Sequence, residues 1–155
     1  MRWRLGQLEA SRRDLWDHEP VEVTAEGQTL VIGRRGDVRL PGLGALAEQA
    51  RQDVAAFWTA RWPQTAVVVL PSAPPLLDPL VGTAAGSDQV AVTMWAGGSD
   101  GPVIRVLMNP GVYDRMPTLA RQIVLRHEIT DVAEDALPRD NVPTWRPKGL
   151  ADYVG

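Results

Sequence analysis

Cysteine is missing altogether from this 155-residue chain. Disulfides, thiolate metal sites and cysteine nucleophiles are thereby excluded together, although the absence says nothing firm about compartment. Lysine is almost missing: of 16 basic residues, all but Lys148 are arginine. An excess of positive charge is missing too. Lys+Arg total 16 against 19 for Asp+Glu, a net charge of −3. The arginines, including Arg12-Arg13 and Arg34-Arg35, are dispersed and form no stripe, so the chain lacks the field that nucleic-acid binding favours. No run approaches the roughly 18 apolar residues that a membrane span needs. The start, Met1-Arg2-Trp3-Arg4, has no apolar stretch of the signal-peptide kind.

What is present suits a folded domain. Apolar residues make up 45% of the chain, enough for a real core at this length. The chain is rich in arginine, alanine, glycine and proline and nearly free of lysine, a composition that suggests a GC-rich bacterial gene. Localisation is not readable, a secreted or membrane-attached parent included. The chain stops at Tyr153-Val154-Gly155, inside an expected helix, which suggests a piece of a longer protein.

Residues 1–40 read as an N-terminal β-rich segment. Short strands are expected at Trp3–Leu5, Val21–Thr24 and Thr29–Gly33, with a tight turn at Glu26-Gly27 between the last two. Residues 41–155 read as the main domain. Leu43, Leu46, Ala47, Ala50, Val54, Phe57 and Trp58 recur at three- and four-residue steps, predicting a helix from Leu43 to Trp62 that Pro63 ends. Ala66–Leu70 reads as a buried central strand. Pro71, Pro74, Pro75 and Pro79 predict an irregular connection with a helical turn near Leu76–Val81. Strands follow at Val90–Trp95 and Val103–Met108 around a Gly97–Gly101 loop, and Asn109-Pro110-Gly111 closes the second. The principal helix should run from Pro117-Thr118 to Ala136, stopped by Pro138, and a last helix should start near Pro147. The order is α+β, a small sheet packed on helices.

The chemistry concentrates late in the chain. His127 and Asp131 stand four residues apart and so project from one face of a helix, about one turn apart. Two imidazoles at that spacing can bind one zinc ion, with an intervening glutamate as general base toward metal-bound water. Here the spacing is kept, but the second histidine is replaced by Asp131.

The run Ile123-Val124-Leu125-Arg126-His127-Glu128-Ile129-Thr130, with Pro143-Thr144-Trp145 and Gly149-Leu150-Ala151-Asp152-Tyr153, resembles the gluzincin clan of zinc metallopeptidases. It is most similar to the bacterial peptidase MA-like domains, and the likeness covers about residues 118–155. The resemblance implies a zincin-like fold, a small twisted mixed sheet packed on an active-site helix and a following ligand-bearing helix, and peptide-bond hydrolysis. It also implies an edge strand, read here as Val103–Met108, that borders the cleft and can pair with extended peptide. His127 matches the first zinc ligand and Glu128 the general base. Asp131 falls at the second ligand position and Lys148 at the third, where the pattern has glutamate. Asp152 and Tyr153 are expected to support the ligand positions from behind.

Aspartate can ligate zinc, but protonated lysine cannot, and it places positive charge where the metal would sit. The expectation is therefore a metal-free, inactive or impaired relative, natural or engineered, in which a Lys148–Asp131 ion pair replaces the ion and Glu128 lies close by. No cofactor is expected as the sequence stands, zinc being that of the family. A non-catalytic peptide-binding or scaffold domain is the competing class. A third is an engineered catalyst using the sole lysine, Lys148, as nucleophile.

Plainer readings stand beside these. A His-Glu pair on a helix is commonly solvated surface. Glu134, Asp135 and Asp152 serve as substitute ligands or as ordinary helix-surface acids. His18 reads as surface, and the tryptophans, Trp58 and Trp62 on a helix face among them, as core packing. Arg35-Gly36-Asp37 spells an integrin-type tripeptide of the kind that arises by chance.

Overall fold

A computed structural model describes residues 14–58, 61–82, 89–96 and 103–136. The strand expected at Trp3–Leu5, the Gly97–Gly101 loop and the helix expected from Pro147 lie outside those residues, and so do Lys148, Asp152 and Tyr153.

The architecture is α+β, with one five-stranded mixed sheet. Strand β1 (Val21–Glu26) and strand β2 (Thr29–Arg34) form an antiparallel hairpin. Its two-residue turn begins at Gly27, whose φ of 56° suits glycine, and a Cβ there would run into the Glu48 carboxylate. Helix α1 (Leu40–Phe57) carries the chain to β3 (Ala66–Leu70), which lies parallel to β2. A 3₁₀ turn at Pro74–Leu76 and helix α2 (Leu77–Val81) lead on to β4 (Ala91–Ala96) and β5 (Val103–Met108). The spatial order is β1-β2-β3-β5-β4, with β5 parallel to β3 and β4 antiparallel to β5. Helix α3 (Pro110–Tyr113) and helix α4 (Thr118–Asp135) complete the described elements. The strands before residue 41 and those after it belong to one sheet.

Alternation along the strands feeds two cores. Val31, Val68, Val106 and Met108 point to the face covered by α1 and α4. Helix α1 supplies Leu40, Leu43, Ala47, Ala50 and Val54, and α4 supplies Leu125, Ile129, Val132 and Ala133. Ile32, Val69 and Leu107 point to the opposite face, where Leu15, Leu77 and Leu80 cover them. Arg105 fastens the chain near Leu15 by an ion pair to Asp14 at 2.5 Å and by lying 5.5 Å from the Trp16 ring centre.

Two expectations are corrected, and a third is extended. Val103–Met108 is not the edge strand: β5 is flanked by β3 and β4, and among the described residues β4 is the edge. The reason is visible in β5 itself, where Val106 and Leu107 are buried on opposite faces, as an interior strand requires. Helix α1 ends at Phe57, not Trp62, and Trp58 is already extended at φ −88° and ψ 103°. The extended backbone at Trp58 ends the helix before Pro63 can, so Trp58 and Trp62 do not share a helix face, and Trp62 is buried in the core. Asn109 does more than close a strand. Its side chain caps α3 by accepting from Gly111 N at 3.0 Å and Val112 N at 3.4 Å, while its amide donates to Gln89 O at 2.9 Å.

A buried charge network joins the first helix to the sheet. Arg51 donates from Nε (2.8 Å) and Nη2 (2.7 Å) to the two oxygens of Glu48. Thr29 Oγ1 and Gln52 Nε2 donate to the same carboxylate at 2.9 and 3.0 Å. Arg51 Nη1 also donates to Gln64 O at 3.2 Å, holding the returning chain where Gln64 takes φ 55°. The bidentate guanidinium, outweighing burial, holds the Glu48 carboxyl down at about 2.

Candidate functional site

Helix α4 presents the late motif. Pro117, with φ −66° and ψ 158°, stands just ahead of its first turn, where a proline needs no amide partner. Leu125, Ile129, Val132 and Ala133 turn the helix toward the core. One flank faces α1: Arg126 Nε lies 3.9 Å from Asp53 Oδ2, and buried Thr130 donates from Oγ1 to Arg126 O at 2.7 Å. That i−4 hydrogen bond satisfies a hydroxyl with no access to water.

His127, Glu128 and Asp131 fall together away from that flank. All three are partly exposed. His127 Nε2 lies 3.7 Å from Asp131 Oδ2, an ion-pair separation when the imidazole is protonated and too long for a hydrogen bond. Glu128 reaches the sheet. Thr93 Oγ1, on edge strand β4, lies 2.5 Å from Glu128 Oε2 and 3.3 Å from Glu128 O, so its proton goes to the carboxylate. Among the described residues no ion pair involves Glu128.

Thr93 is absent from the sequence-derived site. It was legible only as the one hydroxyl among the apolar residues Val90-Ala91-Val92-Thr93-Met94-Trp95. Ala91, two residues before it, is buried in the core shared with α4, so alternation points Thr93 to the same face.

The donor set can be tested against zinc. His127 and Asp131 place one nitrogen and one oxygen on one face, which is two ligands. A catalytic site needs three, and among the described residues no group of three His, Cys, Asp or Glu side chains is placed to hold a metal. The third position expected from the sequence is Lys148, outside the described residues, and a protonated amine cannot ligate. Among the described residues the donor set is therefore one ligand short of a catalytic zinc site. The Lys148–Asp131 pair, the reactivity of Lys148 and the contributions of Asp152 and Tyr153 likewise fall outside the described residues.

Other candidates have structural surroundings. His18 is exposed. Asp37 of the Arg35-Gly36-Asp37 tripeptide is turned into a pair with Arg39, Oδ2 to Nη2 at 2.7 Å, and its side chain is only 9% exposed. That guanidinium holds the Asp37 carboxyl below its ordinary range, so the carboxylate is engaged and not presented. Among the described residues, no helix is long and apolar enough to cross a membrane. No family model, curated protein or solved structure matches the chain.

Proposed function

We propose that this chain carries a degenerate zincin-like domain of gluzincin type. Its family chemistry is zinc-dependent peptide hydrolysis, and in the present sequence that chemistry is lost or severely impaired. The observation that carries the reading is the Thr93–Glu128 link. It sets the glutamate of the His127-Glu128 pair beside the antiparallel strand β4, in the place that the resemblance had given to Val103–Met108. Zinc, when bound in such domains, polarises the substrate carbonyl and the water that glutamate deprotonates. With aspartate and lysine at two ligand positions, no step of that kind is assigned to this chain.

The function retained on this reading is recognition of extended peptide. Among the described residues β4 pairs only with β5, so its outer edge can accept another strand.

Zinc content after purification and dialysis tests the metal side. Less than about 0.1 equivalent is expected for a site short of the three ligands catalysis needs, and one tightly held equivalent would overturn the reading. Asp131→His combined with Lys148→Glu should restore stoichiometric zinc. Failure of a folded double variant to bind it would show that positions 127, 131 and 148 do not share a site.

A further inference from the structure

The edge of β4 and the carboxylate of Glu128 together specify what kind of peptide fits. In a sheet, directly opposed residues on neighbouring strands project to the same face, with the strands about 4.8 Å apart. Thr93 projects toward α4, as its hydrogen bond to Glu128 shows. A residue paired outside Thr93 on an added strand must therefore also project toward α4, next to Glu128. That carboxylate is partly buried, and among the described residues its side-chain partner is a neutral hydroxyl. Asp131 carries the same sign one helical turn further on, but His127 already lies 3.7 Å from it, so Glu128 is the better acceptor.

We propose that the β4 edge binds an extended peptide segment whose central residue, opposite Thr93, is lysine or arginine paired with Glu128. The inference rests on the preceding reading that β4 borders a cleft, and it names the partner that the cleft prefers. Neighbouring peptide residues project to the far side of the sheet, so the basic side chain belongs at a single position in the segment and not in a run. The pairing needs no metal and no reaction; it needs only a cation to complete a shielded carboxylate.

The test uses end-capped fluorescent pentapeptides of sequence Thr-Val-Xaa-Val-Thr, with Xaa lysine, norleucine or glutamate. Binding is followed by anisotropy on the intact chain and on Glu128→Gln. The lysine peptide should bind about tenfold more tightly than the norleucine peptide, the size of one partly shielded charge pair, and the glutamate peptide should be weakest. In Glu128→Gln, whose amide oxygen can still accept from Thr93, the three affinities should converge while the thermal melt stays cooperative. Equal affinities on the intact chain overturn the charge preference and leave peptide recognition standing. A lysine preference that persists in Glu128→Gln overturns Glu128 as its source. If none of the three binds, both this proposal and the peptide-recognition reading fail, whereas the zinc experiments still decide the ancestry of the site.

Discussion

Thr93 and Glu128, 35 residues apart in sequence, meet at 2.5 Å and tie the sheet's edge strand to the helix that carries the His-Glu pair. The bond joins a neutral donor to the Glu128 carboxylate. Hydrogen bonds to charged groups contribute about 1.5–3 kcal/mol, with the lower end applying where water has access. Thr93→Val should lower stability by about 1.5 kcal/mol, read as a shift in urea midpoint at unchanged slope. Thr93→Ser should recover most of the loss. Equal midpoints for all three proteins would show that the hydroxyl contributes nothing.

Glu48 and Arg51 predict a larger effect. Both are buried, and removing one partner leaves an uncompensated charge, which costs about 3–5 kcal/mol. Glu48→Gln and Arg51→Met should each destabilise by that order. The double variant should recover part of the loss, since no charge is then left stranded; fully additive losses would argue against the pair acting as a unit.

The same carboxylate gives a pH dependence with a definite sign. Its folded value sits at about 2 against an ordinary 4.5. The folded state therefore binds the proton less readily than the unfolded chain. The stabilisation is complete above about pH 4.5 and is lost as pH falls toward 2. Urea midpoints at pH 3 and pH 6 should differ more in the natural chain than in Glu48→Gln, and equal differences would remove Glu48 from the account.

Two glycines separate backbone strain from crowding. Gly27 and Gly36 both have positive φ, 56° and 80°, but only a Cβ at Gly27 meets a neighbour, the Glu48 carboxylate. Gly36→Ala should cost about 1 kcal/mol from conformation alone. Gly27→Ala should cost more, about 2–3 kcal/mol, because it also disturbs the buried pair. Thermal melts of the two variants check the order.

Much of the scaffold was legible because hydrophobic spacing is a local signal. The apolar run Ala66–Leu70 announced a central strand, and Leu43, Ala47, Ala50 and Val54 announced the helix that covers it. What escaped depends on contacts distant in sequence. Whether β4 or β5 lies at the edge is decided by pairing with β3, which no local pattern encodes. Glu48 reads as an ordinary exposed acid until Thr29 and Gln28 are brought against it. Thr93 reads as one strand residue among several until α4 is laid beside it. At the candidate site, the four-residue spacing of His127 and Asp131 foretold their shared face, while the tie between Glu128 and β4 could not be foretold.

Because β2 is hydrogen-bonded on one side to β1 and on the other to β3, the hairpin before residue 41 is a wall of the shared sheet. A fragment beginning at residue 41 would strip the partner from Val67, Val68 and Val69 and leave a raw, β-branched ladder of unsatisfied amides. Such a fragment should self-associate, so the smallest autonomous folding unit has to begin upstream of Val21.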